Sequence, residues 1–207
     1  MVRPKVIRKE QVVVYQGEAS FGVHVVRKGM VRAYSILASG NEVNVAIFGS
    51  GDFFPIEAIY DTAPGALFYY EALSDCEVET YSIEQFKALK AADETAPQAD
   101  AKRYLGALLH VNALGQATAF EKLGHTLRYL AMRFGEPLSG KGFYRIVVKL
   151  TQQDLANLCT MSRETVSIEL SKLKNQRAVI EKEKFYTVNI PLLNKIMGDE
   201  SASDVQL

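Results

Sequence analysis

The chain has 207 residues, 24 Lys and Arg against 24 Asp and Glu, and a hydrophobic fraction of 48%. That length allows one or two domains, and the composition excludes a wholly disordered or fibrous chain. No apolar run reaches the roughly 18 residues of a membrane span. The start, MVRPKVIRKEQ, is too charged for a secretory signal, and Cys76 and Cys159 alone make neither a disulfide framework nor a metal cluster. A cytoplasmic protein with no membrane association, no cofactor and no metal is expected. The zero net charge hides an asymmetry: residues 40–100 carry two basic and twelve acidic side chains, residues 139–190 nine and five. Two modules with different partners are expected, the basic one suited to nucleic acid.

The first ninety residues read as short strands between turns. VVVYQGEAS is a β-branched run closed by a turn, and FGVHVVRKGMVRAYSI holds two strands around Lys28-Gly29. Ser39-Gly40-Asn41 separates two further runs, and ALFYYEAL and CEVETYSI add two more. This spacing predicts an all-β roll or sandwich. Ser82 is placed to cap a short helix, with Gln85 as its capping-box partner.

Thr95 then precedes Ala96-Pro97, a helix start with proline in the first turn. Ala101, Leu105, Leu108, Asn112, Gly115 and Ala119 follow in steps of four and three, flanked by Tyr104, Val111 and Leu114. No strong stop precedes Gly124. A narrow seam with small residues suits two long helices packing together. Ala101, Tyr104, Leu105, Leu108, Val111, Asn112 and Gly115 are therefore the expected dimer contacts, with one face of an ordinary core helix as the alternative. KLGHTLRYLAMRF predicts another amphipathic helix, ended by Gly135-Glu136-Pro137, and FYRIVVKL a strand.

Residues 151–180, TQQDLANLCTMSRETVSIELSKLKNQRAVI, carry the strongest signal. Thr151 can cap a helix from Gln152 to Leu158. After Cys159-Thr160-Met161, Ser162 can cap a second helix whose inner face is Val166, Leu170 and Leu173. Two short helices with so short a connector make a helix-turn-helix, and VIEKEKFYTVNI after it reads as strand, charged turn and strand, a wing. Arg163 and Glu164 fall in the first turn of the second helix. An arginine there can bond guanine O6 and N7, and a carboxylate can accept from the cytosine amine. Lys172 and Lys174 are candidates for phosphate.

SRETV at 162–166, preceded by TQQDLANLCTM, closely resembles the helix-turn-helix of the Crp/Fnr family of bacterial transcription regulators. VYQGE, RKGMVRAYS, GDFF and CEVETYSIEQF extend the resemblance through the roll. It implies an α+β chain: a jelly-roll-like antiparallel β-roll over 1–94, a dimerisation helix over 95–121 and a winged helix-turn-helix over 122–207. It also implies a non-enzymatic homodimer that binds inverted repeats in double-stranded DNA, with RNA polymerase as a further candidate partner. Arg163 and Glu164 fall where the family reads G·C pairs. Ser162, Thr165, Gln152 and Gln153 fall where it meets backbone or neighbouring bases. Ile168 stands where many members have a further arginine, and Thr160 where the turn usually has glycine.

The sensor departs from the family more than the reader does. Cyclic-nucleotide rolls carry Gly-Glu-(Leu/Ile) and, about ten residues on, Arg-(Ser/Thr)-Ala, so that an arginine and backbone amides meet the phosphate. Aligned from GDF, this chain has Pro55-Ile56-Glu57 and Ala66-Leu67-Phe68. On the long helix, Val111 and Asn112 replace the polar pair that meets adenine. Control by cyclic AMP or GMP is not expected. Two cysteines are too few for an iron–sulfur sensor, while His24, His110 and His125 are the candidates for a haem ligand and Cys76 and Cys159 for a redox sensor. Phe53, Phe54, Phe68, Tyr69 and Tyr70 are expected to fill the roll, with an apolar effector site or a regulator lacking any effector as alternatives. A cupin-like enzyme would need clustered His and Glu ligands, and His24 has no histidine neighbour in sequence.

Overall fold

The structure, a computed structural model, describes residues 3–19, 22–60, 62–139 and 142–199. The chain divides into two compact units, residues 1–101 and 102–207. No helix among the described residues is long and apolar enough to cross a membrane.

The first unit is built on two four-stranded antiparallel sheets. One runs β1 (Lys5–Ile7), β8 (Cys76–Tyr81), β3 (Val23–Lys28), β6 (Phe53–Phe54); the other runs β2 (Val12–Val14), β7 (Tyr69–Ala72), β4 (Val31–Ile36), β5 (Glu42–Phe48). Strand alternation assigns the faces. Val26, Phe54 and Val78 from the first sheet meet Val31, Ala33, Phe48, Tyr70 and Ala72 from the second in one buried cluster. On the other face of β3, Val23 and Val25 join Phe53, Ile59 and Phe86, which seat α1 (Ile56–Tyr60) and α2 (Ile83–Ala91). Ser82 caps α2 in a capping box with Gln85, as its spacing predicts. Gly29 (φ +86°) makes the turn from β3 to β4, where a Cβ would lie 2.4 Å from the Asp75 carbonyl oxygen. Any side chain there would clash as well as strain.

Helix α3 spans Ala96–Leu114, and from Lys102 onward it belongs to the second unit. The uninterrupted seam expected through Ala119 is corrected here: α3 stops at Leu114, and α4 (Ala119–Phe134) begins afresh. The cause is local. Thr118 Oγ1 accepts from the Glu121 N–H while the Glu121 carboxylate accepts from the Thr118 N–H, a capping box that starts a new helix. Gly115 therefore lies just past the helix end, and residues 119–121 belong to α4.

α4 is the centre of the second unit, with Leu123, Leu127, Leu130 and Ala131 fully buried. Against it pack α5 (Gln152–Cys159), α6 (Arg163–Asn175) and α7 (Ile190–Met197). A sheet ordered β11 (Val179–Lys182), β12 (Phe185–Asn189), β10 (Phe143–Ile146), β9 (Gly135–Pro137) closes the unit. The strand expected over FYRIVVKL ends at Ile146. The β11–β12 hairpin pairs Lys182 with Phe185, and its tip, Glu183-Lys184, has φ values of 54° and 67°. Two positive φ values suit the right-handed twist of the flanking strands.

Candidate nucleic-acid interface and the roll interior

Both helices of the helix-turn-helix start on side-chain caps. Thr151 Oγ1 accepts from the Asp154 N–H, and Asp154 reciprocates at 2.7 Å on the Thr151 N–H. Ser162 Oγ accepts from the Thr165 N–H at 3.1 Å and lies 2.9 Å from Thr165 Oγ1. The connector turns on Thr160, which is left-handed at φ 53°, ψ 50°. That conformation is strained for a β-branched residue, and it lets the Met161 N–H reach the Ala156 carbonyl at 2.9 Å.

Val166, Leu170 and Leu173 anchor α6, each fully buried. The opposite face is open. The Arg163 and Glu164 side chains are 60% and 72% exposed, with their charged ends 3.7 Å apart. Ile168, Ser171 and Lys172 continue that face. Gln153 is exposed, its amide bonded to Asn157 at 2.8 Å, and Gln152 is half-buried. Lys172 binds Glu169 at 2.8 Å and Lys174 binds Glu181 at 2.9 Å. The lysine ends are the more open members, at 54% for Lys172 against 12% for Glu169 and 38% for Lys174 against 24% for Glu181. Arg145 and Lys149 add two cations that the sequence reading passed over, both exposed and set 4.2 and 5.5 Å over the Phe185 ring beside the wing. Their signal was the alternation with buried Ile146, Val148 and Leu150.

The expected dimer contacts share one face. Ala101, Tyr104, Leu105, Leu108, Val111, Asn112 and Gly115 all stand at least partly open to solvent, Tyr104 at 66% and Val111 at 62%. The buried residues of α3 are Gly106, His110 and Ala113. Gly106 faces Arg133, and the His110 ring lies 5.2 Å from that of Tyr129, tilted by 40°. The core face and the Tyr104–Asn112 stripe are thus different sides of the helix.

Inside the roll, Phe54 and Tyr70 stack at 4.9 Å, and Phe48 meets them at 5.6 and 5.8 Å. The Glu57 carboxylate is buried. It accepts from the Leu67 N–H at 2.7 Å and from the Tyr70 hydroxyl at 3.3 Å. Burial first, and Glu57 second, raise the Tyr70 phenol above its ordinary range. The Ala66 N–H is bonded to the Glu18 carbonyl at 2.9 Å. Phe53 is also buried, but in the second cluster, while Phe68 and Tyr69 are half-buried. Arg32, the cation in β4, lies opposite Glu71, on the face away from Ala33 and Tyr70. Glu42 and Glu71 hold it at 2.7 and 3.0 Å.

The histidines and thiols are packed structural groups. His24 Nδ1 lies 2.9 Å from Thr80 Oγ1, and burial lowers the His24 pKa. His125 bonds Arg128 at 3.0 Å. Cys76 donates to the Met30 and Ser74 carbonyls, and burial raises its pKa. Burial pushes the Cys159 thiol up to about 12. Both shifts oppose the thiolate that redox chemistry needs. Among the described residues, no group of three or more His, Cys, Asp or Glu is placed to hold a metal ion.

Comparison with known proteins agrees with this division. The cyclic nucleotide-binding domain family matches residues 4–93, and the Crp-like helix-turn-helix domain family matches residues 121–196. The regulatory protein HlyX of Actinobacillus pleuropneumoniae is 24% identical over 198 residues, spanning 90% of this chain and 78% of that protein. FixK2 of Bradyrhizobium japonicum superposes with a TM-score of 0.74 at 22% identity, over 98% of this chain and 100% of that one. A CRP-family transcriptional regulator of Thermus thermophilus gives 0.72 at 16% identity, over 94% and 97%. The likenesses in structure fix the fold alone, and the two domain matches, in this order, identify the chain as a member of the Crp/Fnr family of transcription regulators.

Proposed function

We propose that this regulator works as a homodimer that reads an inverted-repeat operator through Arg163 and Glu164 and takes no instruction from cyclic AMP or GMP. The observation that carries the reading is the open first turn of α6. Its two base-competent side chains stand exposed and side by side at the end of a helix whose other face is core. Charged side chains so placed can form bidentate contacts in the major groove. Ser162, Thr165, Gln152 and Gln153 surround them and can meet backbone or adjacent bases, and Lys172 and Lys174 can exchange their carboxylates for phosphate. One such head covers little DNA, so two on a twofold axis are needed for tight selective binding, with half-sites about one helical turn apart.

The apolar stripe from Tyr104 to Val111 supports pairing along α3, since a soluble monomer gains nothing by exposing it. The roll supports the negative part. A cyclic phosphate would meet Pro55, Ala66 and a satisfied Glu57 where it needs a cation and free amides, and burying it unpaired is costly. The test is titration of the full chain against an operator selected from random duplexes. Two protomers per operator are expected, and Leu108→Glu, which sets like charges across the seam, should leave monomers. A wild-type monomer at micromolar concentration that binds its operator one to one overturns the proposal.

A further inference from the structure

Ile168 sits at the middle of the exposed face of α6 and is 58% exposed. With Glu164 and Ser171 it forms a stripe at i, i+4 and i+7, opposite the buried Val166, Leu170 and Leu173. The core does not use its side chain. Its polar neighbours on the helix offer little in its place: Ser171 donates its hydroxyl to the Ser167 carbonyl at 2.8 Å, and Glu169 accepts from Lys172. The dominant chemistry one turn beyond Glu164 is therefore a branched hydrocarbon. In the major groove the four bases present donors, acceptors and one apolar group, the thymine C5-methyl. Isoleucine is stiff at χ1 in a helix, so its methyl groups are held in place before binding and lose little freedom on contact.

We propose that Ile168 is a specificity-determining residue that packs on the C5-methyl of a pyrimidine in each half-site, next to the pairs addressed by Arg163 and Glu164. This rests on the reading of α6 as the DNA-reading helix. The ligand chemistry is a methylated pyrimidine edge, supplied by thymine or by 5-methylcytosine.

The experiment uses the full chain and a duplex selected from a random library. Each thymine of the half-site is replaced by uracil, symmetrically and one position at a time, which deletes the methyl and leaves every hydrogen bond. One position per half-site should weaken binding about three- to fivefold for each methyl removed, the worth of one buried methyl-sized group, and so about 10- to 25-fold for the symmetric pair. Ile168→Ala should bind thymine and uracil duplexes alike at that position while keeping its preference at the pair read by Arg163. Arg163→Ala should show the reverse. Putting a C·G pair at the same position should weaken wild type, and 5-methylcytosine should recover part of that loss. Ile168→Ala replaces an exposed residue by a better helix former, so folding is not at risk. A selected operator at which uracil never separates wild type from Ile168→Ala overturns the inference and leaves the reader standing. A library that yields no preferred sequence overturns both.

Discussion

Glu57 in the roll and Glu164 in the proposed DNA-reading helix have opposite surroundings. Glu57 is 6% exposed, and its carboxylate already accepts from Leu67 and Tyr70. The Glu164 side chain is 72% exposed, 3.7 Å from an arginine also open to water. In the roll, the Glu57 carboxylate is turned inward and satisfied by the protein. In the helix-turn-helix, the core holds one face of α6 and leaves the other unspent. Domain resemblance alone does not separate these cases, because the same fold carries both. The hydrogen-bond partners of individual side chains do.

The sharpest way to break this contrast is to test whether the roll interior is core or pocket. Phe54→Ala should destabilise the first unit by about 3–5 kcal/mol, as for a buried aromatic without slack around it, measured by hydrogen exchange of β3 and β7. A loss below about 1 kcal/mol would mean a loosely filled pocket. On the other side, Arg163→Ala should cost about 1–3 kcal/mol of specific binding with unchanged stability, measured by operator titration against scrambled duplex and by thermal melting. Unchanged discrimination would remove Arg163 from the reader. Glu57→Ala should cost the roll about 1–3 kcal/mol, because it orphans the Tyr70 hydroxyl and the Leu67 N–H. If the same variant left stability intact, the carboxylate would be free for a ligand.

Thr160→Gly should stabilise the second unit, by about 1 kcal/mol or less, through relief of the left-handed threonine. The smallest expected effect is none: millimolar cyclic AMP should leave both the melting temperature and the operator affinity unmoved. Since a native-state ligand raises apparent stability by mass action, a saturable thermal shift would contradict the satisfied-cassette reading directly.

Local signals were legible in the sequence and long-range ones were not. Ser82, Thr151 and Ser162 announce their helices because a cap and its partner lie three residues apart, and the structure forms all three caps. The Thr118–Glu121 capping box obeys the same rule, yet the apolar stripe running past it masks the break between α3 and α4. The hydrophobic pattern gave way there to a local hydrogen bond. Helical spacing alone would set Arg163 on the stripe of Val166 and Leu170, and it is open because it stands in the first turn of α6, beyond the end of the core. The fate of Glu57 depends on Leu67 and Tyr70, ten and thirteen residues away across a turn. The fate of Arg32 depends on Glu71, 39 residues away on a neighbouring strand. Nothing in their local sequence indicates such partners.

The seating of α3 on α4 has a metric consequence. His110 rests on Tyr129 and Gly106 faces Arg133 inside the second unit, so the Tyr104–Asn112 stripe and α6 are parts of one packed body. If two copies pair along that stripe, as proposed, the geometry of the pairing is carried to both α6 helices through one core. Residues that touch no base would then set how far apart the two reading heads stand.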